Sequence, residues 1–506
     1  MIPLRTAPPP ATVPEEDSGA IVAAAIVIEG ATVFEPESFV PFYKDLLARR
    51  IDRRDLAALT EAITNVYYEA GYTLTRAYVP PQDIEAGVIT IQIAEGFIER
   101  VVFEGTEQAS PIAQKVADAI TVERPLRRAT LERQILLLGD LFGARVEDAR
   151  LRPIDAAAGR YELLVDLRHR PIDYYGSLDN RGTRSNGPWQ LWNSVGVNSL
   201  DTAGWRVQGA FFTAPNSPSE LRYVQATLGR TLGSDGTVLR ATLSASDNVA
   251  GPPGKASSTE TASRRFQLGV TRPVQRSRAS SLWATLSLDA LHSSEDRFKR
   301  PLSEDDLRVV RPSAYYFFTD DWSGENGLNA ELSLGLTGLG ASPSGPERSR
   351  SDADTSFRKL RFDGWRSQGL FGSWSLYGQL AAQLSDRPLL ASEEFALGGS
   401  RFGRGYDASI ISGDRGAAGT VELRLTEPLE GRLREYQLYG FYDVGTISNG
   451  NVDGNARHRL ASTGIGARLT LAPAIRTGLE LAKPLNSVEG RERRETRTFF
   501  TVAAEF

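Results

Sequence analysis

Across residues 395–416 the chain reads Phe-Ala-Leu-Gly-Gly-Ser-Arg-Phe-Gly-Arg-Gly-Tyr-Asp-Ala-Ser-Ile-Ile-Ser-Gly-Asp-Arg-Gly, and Phe441-Tyr442-Asp443-Val444-Gly445 follows within an alternating stretch. The chemistry on offer is charge pairing rather than bond making. Glycines at 398, 399, 403, 405, 413 and 416 permit positive φ and close backbone approach, so the segment can fold compactly. Arg404 carries five fixed donors and does not discharge, so in a partly desolvated setting it needs a carboxylate. Asp443 is the best candidate, because it shares parity with Tyr439, Phe441 and Gly445, opposite to Leu438, Tyr442 and Val444. Taken singly, each reads as an ordinary solvated or lumen charge; taken together they point to a loop tethered inside a hollow β-barrel.

No catalytic constellation accompanies them. The three histidines, at 169, 292 and 458, are scattered, and there is no Gly-x-Ser-x-Gly elbow, metal-ligand spacing or Gly-x-x-x-x-Gly-Lys phosphate loop. The expectation is a protein that is not an enzyme and uses no cofactor or metal. A formal net charge of −5 excludes a strongly basic footprint for nucleic acid across the chain. With 47 Gly, 21 Phe, 16 Tyr and 7 Trp but no Cys and one Met, the composition suits a β-rich extracytoplasmic protein.

At 506 residues the chain exceeds the size at which single cores stop growing. Its longest apolar run, 20–28, is far below the roughly 20 residues of a membrane helix, which leaves a membrane barrel open. That run has the length of a secretory signal core, but Pro8-Pro9-Pro10 and Glu15-Glu16-Asp17 precede it and no small-residue cleavage site follows. Residues 1–20 are therefore expected to be a flexible lead, with any export signal removed or outside this numbering.

Two small α+β units are expected next, over 21–96 and 97–171. In the first, Leu56, Leu59, Ile63, Val66, Tyr67 and Ala70 give the spacing of a one-faced helix that stops at Gly71, and strands are predicted over 72–79 and 87–94. In the second, 98–103 reads as a strand, Pro111 as a helix start, 131–141 as a second helix and 160–167 as closing strand. The shared element order makes an internal repeat of about 75 residues. A small mixed sheet has an edge strand on which an unfolded chain can add by backbone pairing.

From 172 to 506 period-two patterning recurs, as where Leu328, Ala330, Leu332 and Leu334 alternate with Asn329, Glu331 and Ser333. Alternation alone fits a soluble sandwich or a membrane barrel, in which the apolar face meets lipid. About 16 strands can be placed, an even number. Short connections at 198–204, 231–236 and 471–474 contrast with long ones at 247–261, 291–304, 338–355 and 385–418. Phe500, Val502, Ala504 and Phe506 share one face, and a last strand ending in Phe506 resembles the signal by which outer-membrane barrels are recognised by their assembly machinery. The fold class expected is N-terminal α+β modules followed by an all-β transmembrane barrel of about 16 antiparallel strands, with an inward-folded loop at 385–418.

Gly71-Tyr72, Tyr78-Val79-Pro80-Pro81-Gln82-Asp83, Gly87 and Glu95-Gly96 resemble the first POTRA domain of two-partner secretion transporters, the haemolysin and filamentous-haemagglutinin exporters of Gram-negative bacteria. Phe395, Leu397-Gly398-Gly399, Arg404-Gly405-Tyr406, Gly413-Asp414-Arg415-Gly416 and Glu422 are similar to that family's loop-six signature. Phe441, Asp443 and Gly445 resemble its Phe-x-Asp-x-Gly strand motif, and Leu178-Asp179-Asn180, Gly187 and Asn198 its barrel entry. The resemblance implies an outer-membrane transporter with periplasmic POTRA domains that captures an unfolded partner, an adhesin or a cytolysin, and secretes it. It also implies that Arg404 pairs with Asp443. Gly403 departs from the family pattern, which usually has an aliphatic residue there, and is expected to loosen the loop while keeping the arginine in register. A barrel-assembly factor of the same superfamily is the alternative; such relatives usually carry three or more POTRA domains, and two fit here.

Overall fold

A computed structural model of the protein describes residues 21–84, 86–105, 110–183, 187–199, 204–250, 259–449, 457–472, 474–488 and 495–506. The expected lead over 1–20 lies outside the described residues. The chain divides into two compact units, one holding the residues up to Arg170 and the other the strands after it.

In the first unit the Arg53–Glu69 helix begins where its sequence demands. The Asp52 side chain accepts from the backbone N–H groups of Arg54 and Asp55 at 2.8 and 3.0 Å, and the Asp55 carboxylate accepts from the Asp52 N–H at 3.0 Å. This reciprocal cap satisfies donors that a helix start leaves orphaned. Leu59, Ile63 and Tyr67, four residues apart, lie buried against Ile89, Ile91 and Ile93, each such burial contributing about 1.5–3 kcal/mol. Gly71 turns the chain at φ +90°. The expected strand over 72–79 is shorter than the residues suggest and covers only Arg76–Tyr78. Tyr72 is instead turned into the core, and the Thr75 N–H bonds its carbonyl at 3.1 Å.

The Ala25–Glu29 strand runs parallel to Val88–Ala94, and Arg76–Tyr78 lies antiparallel on the opposite side. Farther along, Phe97–Glu104 runs parallel to Arg160–His169, which pairs antiparallel with Ala144–Asp155, under the helices Pro111–Val122 and Arg128–Gly139. Both sheets thus place the last strand in sequence at the centre. Ala144–Asp155 escapes sequence reading because Arg145, Glu147, Asp148, Arg150 and Arg152 mask its alternation.

The second unit is a closed antiparallel barrel of sixteen strands, from Ile172–Asp179 to Arg497–Glu505, with the last strand pairing with the first. Its polarity is inverted relative to a soluble sheet. Leu328, Leu332, Leu438, Tyr442 and Val444 stand outside, whereas Ser333, Thr420, Asp443 and Glu480 are buried within. Lipid can satisfy no backbone donors, so closure is what lets such strands span.

One expected long loop is absent. The segment 291–304 belongs almost entirely to two long strands, Ser280–Arg297 and Arg300–Thr319, joined by Phe298 and Lys299 at φ +55° and +60°. Two consecutive left-handed residues make the tight turn whose twist matches paired strands. The polar run His292-Ser293-Ser294-Glu295-Asp296-Arg297 reads as loop because neither of its faces is apolar.

Candidate functional site

Between the Trp374–Ser385 and Arg415–Pro428 strands the chain forms a hairpin, Phe395–Leu397 pairing antiparallel with Ile411–Gly413. Its apolar side chains Phe395, Leu397, Phe402 and Ile411 are buried together with Ala381, Ala418, Ile447 and Leu460 of the barrel wall. The hairpin is therefore packed against the inside of the barrel.

Glycine is required here by geometry. Gly398 has φ +103°, and a Cβ there would lie 2.1 Å from the Asp407 carbonyl oxygen. At Gly405 a Cβ would lie 2.6 Å from the Pro484 backbone nitrogen, because the hairpin tip runs directly along the wall. Gly399 faces Ala408; Gly413, Gly416 and Gly445 face Asn449, Phe395 and Leu397. Gly403 does not loosen the loop as its sequence suggests. Its φ is +78°, its N–H donates to Asp443 Oδ2 at 3.1 Å, and Leu460 fills the space a side chain would take.

The structure brings Arg404 and Asp443 together. Arg404 Nε donates to Asp443 Oδ2 at 3.1 Å, Nη2 to Oδ1 at 2.8 Å, and the Arg404 backbone N–H to Oδ2 at 2.9 Å. The Ser462 hydroxyl donates to the same Oδ2 at 3.0 Å. This two-pronged grip is the strong form of charge-assisted hydrogen bonding. Arg404 is 4% exposed and Asp443 0%, so neither charge has water as a substitute partner. Two further carboxylates converge on the same guanidinium: Nη1 lies 2.5 Å from Glu422 Oε1 and 3.5 Å from Glu480 Oε2. Nη2 also donates to Thr420 Oγ1 at 2.7 Å. Arg424 and Arg468 neutralise the far side of Glu422, at 2.6 and 3.2 Å.

The remaining sequence-selected residues surround this centre. The Tyr406 hydroxyl contacts the carbonyls of Ala461 and Asn486 at 3.0 and 2.6 Å. Buried Asp414 accepts from Arg350 at 2.6 Å and from the Leu389 N–H at 2.7 Å. Phe441 lies beneath Arg404. Phe506 is apart from the site; it exchanges backbone hydrogen bonds of 2.9 Å with Tyr174 at the seam of the barrel.

Glu480 was not legible, since it belongs to no motif and is 76 residues from Arg404. A second buried ionic cluster was also missed. Glu393, at the start of the hairpin, meets Arg311 Nη2 at 2.5 Å and Lys359 Nζ, and Arg311 Nε donates to Asp289 at 2.9 Å. None of these four stands beside a recognisable spacing.

In the first unit, Glu95 joins elements distant in sequence. Its Oε1 accepts from the Thr32 and Val33 N–H groups at 2.7 and 3.0 Å and from the Tyr67 hydroxyl at 2.8 Å, and Oε2 accepts from the Thr32 hydroxyl. Burial pushes this carboxyl up, but the Thr32, Tyr67 and Val33 bonds outweigh it and hold it below the usual carboxylate range. Burial, with the Glu95 bond second, pushes the Tyr67 phenol well up.

Among the described residues no side-chain set presents an activated nucleophile. The arrangement holds a segment of chain in place.

Comparison with known proteins fits this geometry. The family model for the ShlB-type POTRA domain matches residues 22–96, and that for haemolysin secretion/activation proteins of the ShlB/FhaC/HecB kind matches 237–469. The outer membrane transporter CdiB of Escherichia coli is 25% identical over 218 residues, 41% of this chain and 35% of that protein. The chain thus aligns with about a third of the length of that curated relative. The heme/hemopexin transporter protein HuxB of Haemophilus influenzae is 20% identical over 459 residues, 88% of this chain and 80% of HuxB. Among solved structures, CdiB from Escherichia coli superposes with a TM-score of 0.78 at 20% identity, covering 99% of this chain and 94% of that one. BamA from Haemophilus ducreyi lacking POTRA domains 1–3 gives 0.56 at 12% identity, over 96% and 100% of the two chains, a likeness of fold. With one family model on its N-terminal unit and another on its barrel, both parts of the chain are similar to haemolysin secretion/activation proteins of the ShlB/FhaC/HecB kind, and the chain is an outer-membrane barrel whose POTRA domain lies in the periplasm.

Proposed function

We propose that this protein captures an unfolded partner polypeptide in the periplasm through its POTRA-type units and secretes it through the barrel lumen. The observation that carries the reading is the inward hairpin, seated in a closed barrel by Arg404 on three wall carboxylates. A passive pore has no use for an inward hairpin held to its wall by buried charge.

The client enters as an extended chain that pairs with a sheet edge. That route takes a long polypeptide kept unfolded until it leaves; the family resemblance, not the route, points to an adhesin or a cytolysin. Arg76–Tyr78 is the narrower edge, and there Thr64 Oγ1 already accepts the Ala77 N–H at 2.9 Å. Ala144–Asp155 is the longer, and it carries two irregularities and Pro153, devices that keep an edge from pairing indiscriminately. Because no phosphate-binding loop stands in the sequence, the driving force we assign is the client's own folding outside. Outer-membrane lipid and the barrel assembly machinery, which reads Phe506, complete the partners.

The test is to seek a large secreted protein among the products of the neighbouring genes and to co-express it with this chain. The client accumulates in the medium only when the transporter is present. A client that reaches the medium equally without it, or export that requires ATP hydrolysis by this chain, overturns the reading. Insertion of other barrels, the activity of an assembly factor, would appear instead as loss of outer-membrane proteins on depletion.

A further inference from the structure

The Arg404 centre uses strands Arg415–Pro428, Glu435–Ser448, Arg457–Ala472 and Ile475–Pro484, through Glu422, Asp443, Ser462 and Glu480. The Glu393 cluster uses a different set of strands. Glu393 is 3% exposed, and its carboxylate receives Arg311 of the Arg300–Thr319 strand and Lys359 of the Arg358–Gly369 strand. Gln383 of the Trp374–Ser385 strand donates to the Glu393 carbonyl at 3.0 Å, and Lys359 Nζ donates there too at 3.2 Å. Arg311 is fixed in turn by Asp289 at 2.9 Å and by Ser333 Oγ at 2.5 Å. The two sets of strands have no member in common.

The polarity of the two sites is opposite. At the tip the hairpin brings the cation and the wall supplies carboxylates; at the root the hairpin brings the carboxylate and the wall supplies cations. The side chains at the root are all at least nine-tenths buried: Arg311 is 7% exposed and Lys359 6%. Charges so placed are costly unless paired and hydrogen-bonded, and the cluster meets that condition through a loop residue. Arg311 keeps the wall carboxylates Asp289 and Glu331, at 2.9 and 3.6 Å, when the hairpin leaves, whereas Lys359 has its close carboxylate from Glu393 only while the hairpin is seated.

We propose that Glu393 is a second anchor of the inward hairpin, independent of Arg404, and that the hairpin braces two separate arcs of the barrel wall. With the tip anchor alone released, the hairpin stays tethered at its root; it clears the wall when Glu393 also leaves Arg311 and Lys359. The inference rests on the reading of the inward hairpin as part of the transport machinery, and its test reads the hold directly, whereas export tests the transport reading.

The chain has no cysteine, so a single thiol reports cleanly. Ala381 on the Trp374–Ser385 strand is 1% exposed and packs in the same cluster as Phe395 and Leu397 of the hairpin. In an Ala381→Cys protein reconstituted in lipid vesicles, the rate of labelling by a water-soluble methanethiosulfonate reagent measures departure of the hairpin. Glu393→Gln is expected to raise that rate roughly ten-fold, with heat-modifiable gel mobility showing an intact barrel. An assembled Glu393→Gln protein that labels at the parental rate overturns the proposal. If Glu393→Gln does not assemble, Lys359→Gln, which leaves the Glu393–Arg311 pair in place, decides: an assembled variant that labels faster than the parent supports the anchor, and one that labels at the parental rate overturns it.

Discussion

The Arg404 guanidinium carbon lies 3.5 Å from the centre of the Phe441 ring, two residues along the strand from the Asp443 that grips its edge. One strand thus offers the arginine both a π face and a carboxylate. A desolvated cation over an aromatic face is stabilised by about 2 kcal/mol. Phe441→Leu keeps the apolar bulk and removes the face, so secretion of the client is expected to fall less than for loss of the arginine. Equal secretion by Phe441→Leu and the parent would show that the stack contributes nothing.

Removing Arg404 leaves Asp443, Glu422 and Glu480 facing one another, whereas removing Asp443 leaves the arginine with two carboxylates. Breaking a buried pair costs about 3–5 kcal/mol. Arg404→Ala is therefore expected to impair export more than Asp443→Ala, and Arg404→Lys to fall between Arg404→Ala and the parent because it keeps charge but loses the fork. Client in the medium, normalised to assembled barrel, checks the order.

Gly405→Ala separates fit from charge. The added methyl would sit 2.6 Å from the Pro484 nitrogen, and wall backbone cannot move aside as a side chain can. Hairpin seating is expected to weaken although every charged residue remains. Labelling of a cysteine at Ala381 is the measurement, and an unchanged rate would mean that the tip shifts without strain.

Glu95 gives the first unit a pH dependence. Its folded carboxyl sits below the ordinary range, which an unfolded chain retains at about 4.3. The stabilisation is fully present above that ordinary value and is lost as pH falls through the lower folded value. The protection of amides across the Arg53–Glu69 helix, measured in the full chain and referred to the intrinsic exchange rate at each pH, is expected to fall on acidification over that window. Glu95→Gln should remove the part of the fall due to this group.

Capture by backbone pairing predicts where protection appears when client binds. Amides of Ala144–Asp155 or Arg76–Tyr78 are expected to exchange more slowly with the client's secretion domain bound. Binding that leaves both strands unprotected would rule out edge addition there.

Much of this molecule was legible because barrel strands carry their two environments in strict alternation, and because Arg404 and Asp443 stand in dense local motifs. Glu393, Arg311 and Lys359 were not, since their meeting depends on a hairpin folding back across strands far apart in sequence. Glu480 was obscured for the same reason. The 291–304 segment misled because alternation fails wherever a strand has water on both faces, although its pairing continues. Tyr72 misled because an aromatic beside a strand can cap a core rather than extend the sheet.

The Ser280–Arg297 and Arg300–Thr319 strands contain 18 and 20 residues, whereas about 9–11 suffice to cross a bilayer. At roughly 3.4 Å per residue the surplus raises a stiff, hydrogen-bonded parapet beyond the hydrocarbon. Anything that approaches this end of the barrel meets a ribbon rather than a slack peptide.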